Sequence, residues 1–154
     1  MSKTLVAMAV AILALSSPVQ ASADNLSVNV HPDVAYALSV EPGGFATGYA
    51  TAEWPELGMG LTVMSEVSGR AVGSCPTGNM CAFSDVNQGG LRLNWNTCGS
   101  KSVATLGRVA QITNARSSGT VKAMQGSTSR ASATAGNSAT VATSYRSSIS
   151  AVSC

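Results

Sequence analysis

Apolar and polar positions alternate in short runs along much of this chain, and clusters of Ser, Gly, Asn and Pro separate the runs. Leu91-Arg92-Leu93-Asn94-Trp95 shows the pattern most clearly. Residues two apart share a character there, the period of a strand with one buried face. The polar, Gly-rich stretch 85–90 leads into it from Ala82-Phe83-Ser84. Similar spacing predicts strands over 109–113, 120–124, 131–135, 139–143 and 149–154. Strands this short, separated by turns at this interval, suit a β-sandwich. The runs 112–118 (ITNARSS) and 145–151 (YRSSISA) faintly echo one another. Two copies of a four-stranded unit packed face to face would each bury the apolar face that the other leaves open.

The part before residue 73 reads differently. In 24–30 (DNLSVNV), Leu26, Val28 and Val30 share one side and Ser27 and Asn29 the other, a strand period. Lying at a free terminus, that strand either completes the domain's own sheet or adds to the edge of another protein. His31-Pro32-Asp33 opens a short helix over 34–38, and Pro42-Gly43-Gly44 stops it. The stretches 47–53 and 60–64 predict a hairpin across Pro55-Glu56-Leu57-Gly58, with Trp54 near the turn. Residues 24–72 are thus an extension of strand, helix and hairpin, too small to be a robust domain alone. Residues 73–154 are the all-β body.

Residues 1–23 have the form of a secretory signal: Lys3, an uncharged apolar run over 5–15, a break at Ser16-Ser17-Pro18, and Ala21-Ser22-Ala23 before Asp24. The run is shorter than the roughly 20 residues a bilayer span takes. The expectation is a secreted protein with no membrane contact after cleavage. Export turns Cys75, Cys81, Cys98 and Cys154 into a disulfide set with three possible pairings. Cys75 and Cys81 enclose Pro-Thr-Gly-Asn-Met, whose turn residues bring two Cα atoms within bridging reach; Cys98 and Cys154 remain. Loop-closure entropy assigns the short bridge roughly 2 kcal/mol and the long one roughly 4. Zinc is not expected, because paired C-x-x-C knuckles are missing.

Composition narrows the function classes further. Only 10% of the 154 residues are charged and 5% aromatic, far from the Leu-, Glu- and Lys-rich make-up of a helical bundle. His31 is the single histidine, and no serine sits in a G-x-S-x-G or S-x-x-K setting. Neither a His-rich metal site nor a His-dependent triad is expected, so the chain reads as a non-enzyme without cofactor. Charge is divided: all seven acids lie between Asp24 and Asp85, with only Arg70 basic there, net −6. Residues 86–154 hold no acid and seven bases, net +7. Either the two parts pack together and neutralise each other, or a basic surface attracts an acidic partner. Nucleic acid is not expected, since the bases are spread thinly and lack interleaved aromatics.

Cys75-Pro76-Thr77-Gly78-Asn79-Met80-Cys81-Ala82-Phe83-Ser84-Asp85, followed by Asn87-Gln88-Gly89-Gly90, resembles the opening of the secreted Streptomyces-type metalloproteinase inhibitors. The resemblance extends to small exported actinobacterial proteins through Cys98, Leu106-Gly107, residues 114–119 and Cys154, and loosely to the Pro42-Gly43-Gly44, Trp54 and Gly58 region. It implies a βγ-crystallin-like sandwich of two Greek-key motifs. It also implies a peptidase-inhibitor-like activity, in which a rigid loop is offered to a secreted protease. Two departures stand out. The later half has only Cys154, so the second small disulfide loop of those inhibitors is missing. The crystallin-type cation motif keeps one polar ligand residue in Thr113-Asn114-Ala115-Arg116-Ser117 and none in the matching later stretch, so calcium is not expected.

The candidate surface is then the Cys75 to Cys81 loop, with Asn79 and Met80 as partner-binding residues and Met80 filling an apolar protease pocket. A loop held in its bound shape saves ordering entropy on association. The alternative is a structural adaptor in a secreted multi-protein assembly, such as an antibacterial toxin particle, docking through Leu26, Val28 and Val30. Trp54 and Trp95 are expected as packing anchors rather than sugar platforms, Asp85 and Asn87 as turn residues, and His31 without chemistry.

Overall fold

A computed structural model describes residues 29–64 and 75–154. Among the described residues there is one α-helix, α1 (Pro32–Val40), which starts where Pro32 supplies a preset φ and the His31 ring accepts a bond from the Asp33 N–H at 3.2 Å. Eleven strands follow among the same residues. The first three are β1 (Phe45–Gly48), β2 (Thr51–Trp54) and β3 (Met59–Val63). Then come β4 (Met80–Phe83), β5 (Leu91–Trp95), β6 (Lys101–Ser102), β7 (Gln111–Asn114), β8 (Thr120–Gln125), β9 (Thr128–Thr134), β10 (Ser138–Thr140) and β11 (Ala151–Ser153). Every pairing is antiparallel.

The strands form two sheets, with the orders β1-β2-β3-β5-β4-β7-β10 and β6-β11-β8-β9. Strands β4 to β7 and β8 to β11 are two successive units of four, and the third strand of each leaves its unit for the other sheet. Each unit therefore depends on the other for its layer. The N-terminal hairpin is continuous with the first sheet: β3 pairs with β5 from Met59 opposite Trp95 to Val63 opposite Leu91. Helix α1 lies against β1, β2 and β3 and the turn at 104–106, extending the second layer over the hairpin.

Register explains the core. One transverse row of the large sheet reads Ala46, Ala52, Leu61, Leu93, Ala82, Ile112 and Ala139, apolar across all seven strands. A second row reads Trp54, Met59, Trp95, Met80 and Asn114. Opposite them the small sheet contributes Val121, Ala123, Ala133 and Val152, and α1 contributes Val34 and Ala37. Both tryptophans are buried. The Trp54 indole N–H donates to the Glu41 carbonyl at 2.7 Å, and Gly44 is a glycine because a Cβ there would run into that indole.

Several sequence expectations shift by a few residues. The stretch 47–53 is two strands, because the chain reverses at residues 48–50 and a Cβ on Gly48 would meet Thr51 Oγ1 at 2.8 Å. Residues 109 and 110 are buried yet precede β7, and residue 143 belongs to a 3-10 turn, Thr143–Ser148. Strand β6, of two residues, had no visible period. The signal segment, Leu26 and Val28 lie outside the described residues. Among those described, no helix is long and apolar enough to cross a membrane.

Candidate functional site

Two disulfides are formed, Cys75 with Cys81 and Cys98 with Cys154, with Cα atoms 5.8 and 5.6 Å apart. The first closes a small loop against β4; the second ties the chain just past β5, in the large sheet, to the chain just past β11, in the small one. Strand β4 is buried on both sides. Met80 and Ala82 face the main core, while Cys81 and Phe83 face a second cluster with Cys75 and Ala115.

That alternation corrects the expected role of Met80. Successive strand side chains point to opposite faces, so with the bridged Cys81 turned to the second cluster its neighbour Met80 must turn to the main core. Met80 is completely buried, between Trp95 and Asn114 in its row, and presents nothing to a protease pocket. Asn79 is half-buried. The exposed part of the loop is Pro76, Thr77 and Gly78. This crown is a β-turn: the Asn79 N–H donates to the Pro76 carbonyl at 3.0 Å, and Gly78 takes the third position with φ +83°. Two further backbone bonds hold it to residue 115. The Gly78 N–H donates to the Ala115 carbonyl at 2.8 Å, and the Ala115 N–H donates to the Asn79 carbonyl at 3.0 Å.

Residue 115 is held in turn by Asn114, whose importance the sequence reading missed. Asn114 is fully buried, and its amide donates to the Gly119 and Ala133 carbonyls at 3.1 and 3.4 Å. Its side-chain carbonyl accepts from the Arg116 N–H at 3.1 Å. All three of these bonds go to the backbone around it. The sequence signal was available: an Asn ending a strand before Ala-Arg-Ser-Ser-Gly is well suited to bond local backbone.

A concavity of about 490 Å³ lies where the extension meets the body, lined among others by Asp33, Val63, Ser84, Asp85, Leu106 and Arg108. Arg108 is clamped there. Its Nη2 pairs with the Asp85 carboxylate, and its Nε donates to the Ser84 carbonyl at 3.1 Å. Gly90, at φ +70°, lets the turn close over this corner, since a Cβ would strike Ser84 Oγ and the Asp85 carboxylate. The Ser84 hydroxyl accepts the Leu91 N–H at 2.8 Å, and no histidine lines the cleft to activate a nucleophile. Nearby, burial lowers the pKa of the Arg92 guanidinium, whose Nη2 donates to Thr62 Oγ1 at 2.8 Å.

The divided charge is not neutralised by direct pairing among the described residues. Among the described residues, Asp85 with Arg108 joins an acid of the first part to a base of the second. Glu41, Glu53 and Glu56 form no ion pair with a described residue. Among the described residues no group of three or more His, Cys, Asp or Glu side chains is placed to hold a metal ion. Val30, the described member of the proposed docking strand, packs against the main core. No family model, curated protein or solved structure matches the chain.

Proposed function

We propose that this is a secreted, non-enzymatic binding protein, peptidase-inhibitor-like, which presents the disulfide-closed crown Pro76-Thr77-Gly78 with the flanking Asn79 to a protease. One observation carries the reading. The crown is solvent-exposed, while the bridge between Cys75 and Cys81 and two backbone bonds to Ala115 fix both of its sides. Such a loop gives up little freedom on binding, which is the economy a rigid inhibitor uses. The finer fold reading, a βγ-crystallin-like pair of Greek keys, draws support from the exchange of the third strand of each unit between the sheets. Export draws support from the pair of disulfides, since such bonds persist in oxidising compartments.

The test is stoichiometric titration of thermolysin-like and subtilisin-like proteases with the disulfide-bonded protein. Inhibition is expected at equimolar protein, with a loss of at least about tenfold in affinity, roughly 1.4 kcal/mol, for Thr77→Glu at unchanged melting temperature. Absence of inhibition at excess protein refutes the reading. Inhibition that Thr77→Glu leaves untouched moves the contact away from the crown.

A further inference from the structure

The two bridges differ in what surrounds their sulfurs. Cys75 and Cys81 are buried, in one cluster with Phe83 and Ala115. Cys98 and Cys154 are both exposed. A disulfide opens when a thiolate attacks one of its sulfurs, so access decides which bridge a dissolved thiol reaches.

Charge sets the second bridge apart as well. The Lys101 ammonium donates to Thr97 Oγ1 at 2.9 Å and to the Leu57 carbonyl at 3.4 Å, which holds it beside the residue preceding Cys98. Lys122 is exposed in β8, opposite Ser153, the residue preceding Cys154. Each cysteine of this bridge therefore has a lysine next to its chain neighbour. Glu56, one residue before Leu57, is the acid of that turn and forms no ion pair with Lys101. Accessible sulfur among cations is the setting in which thiol chemistry is fast, because cations favour the thiolate.

We propose that the bridge between Cys98 and Cys154 is a thiol-exchange site, which takes up a small anionic thiol as a mixed disulfide on Cys154. The incoming thiolate attacks Cys154 Sγ, and the new S–S bond forms as the bond to Cys98 Sγ breaks. The electron pair leaves with Cys98 Sγ, a thiolate that Lys101 stabilises until it takes a proton from water. One disulfide replaces another, so neither an oxidant nor a reductant is consumed. The thiol that ionises more readily leaves faster, and the ammonium held at Thr97 makes Cys98 that group. Lys122 attracts an attacking thiol that carries carboxylates.

The fold tolerates the opening. Strand β11 keeps its antiparallel pairs with β6 and β8, and the crown keeps its own buried bridge. Met80 lies opposite Trp95, so the crown before β4 and the chain after β5 that carries Cys98 leave the large sheet at the same end. An attached thiol adds its charge at that end, whether or not the crown meets a protease.

The experiment treats the full disulfide-bonded protein with millimolar glutathione, an anionic thiol, at neutral pH. Samples are quenched with iodoacetamide at intervals, and each cysteine is mapped by peptide mass spectrometry. The bridge between Cys98 and Cys154 is expected to open at least about 100-fold faster than that between Cys75 and Cys81. Glutathione is expected on Cys154 and the alkyl group on Cys98, with the near-ultraviolet circular dichroism unchanged through this phase. Lys101→Gln is expected to slow the exchange about threefold, the effect of one exposed charge, and about 1 M salt to remove that difference. Cysteamine, a cationic thiol, is expected to react more slowly than glutathione at equal thiolate concentration. Opening of both bridges together, or of Cys75–Cys81 first, overturns the proposal, as does the absence of any exchange. Glutathione on Cys98, or a rate that Lys101→Gln leaves unchanged, overturns the assignment of Cys98 as the leaving group.

Discussion

The two sheets bury very different side chains. The inner face of the large sheet carries Trp54, Met59, Leu61, Met80, Leu93, Trp95 and Ile112; the small sheet answers with Val121, Ala123, Ala133 and Val152. Large against small is how two layers close without voids, and it concentrates the transferable apolar area on one side. Strand β6, of two residues, adds little of its own and β11 adds one buried residue, Val152, and the bridge between Cys98 and Cys154 ties that end of the small sheet to the large one. A chain poor in aromatics thus builds its core by placing both tryptophans on one layer and using a covalent tie for the other.

Truncation should expose this asymmetry. Trp95→Ala removes a fully buried side chain flanked by Met59 and Met80 in its row, and a loss of about 3–5 kcal/mol is expected in chemical denaturation. If instead that variant loses less than about 1 kcal/mol, the large sheet is not the main store of stability. Val121→Ala, at an equally buried position of the small sheet, deletes two methyl groups and is expected to cost only about 1.5–2.5 kcal/mol by the same measurement. Equal losses for the two variants would dissolve the contrast between the layers.

The contrast also separates what the sequence makes readable from what it hides. Strand β5 coincides with the alternating run 91–95, because Leu93 and Trp95 are buried and Leu91 partly buried on one face while Arg92 and Asn94 share the other, so the period of two is undisturbed. Strand β4 hides its period, since all four residues are buried and only the side they face differs. The bridge from Cys75 to Cys81 was legible as a short loop of turn residues, but the orientation of Met80 was not read from it, although Cys81, turned to the opposite face, fixes it. Strand order lies beyond local pattern altogether: nothing in residues 59–63 announces β5 as their neighbour. The corner of Asp85 with Arg108 joins residues 23 apart, too far for any local motif to reveal.

That corner is also the smallest expected effect, and it bears on the divided charge. If acidic and basic parts held the molecule together electrostatically, their one direct pair among the described residues would be strongly coupled. Both side chains are about half exposed, however, and exposed pairs contribute at most about 1 kcal/mol. A double-mutant cycle of Asp85→Asn and Arg108→Gln is therefore expected to give a coupling below about 1 kcal/mol at low salt, fading at about 1 M salt, where the screening length falls to roughly 3 Å. The bond from Arg108 Nε to the Ser84 carbonyl is lost in Arg108→Gln whether or not Asp85 is present, so it cancels from the cycle. A salt-insensitive coupling above about 2 kcal/mol would mean that the pair is shielded as buried pairs are. The acidic and basic parts of the chain, divided after Asp85, would then be held by an electrostatic joint, rather than by the continuation of one hydrogen-bonded sheet from β3 into β5.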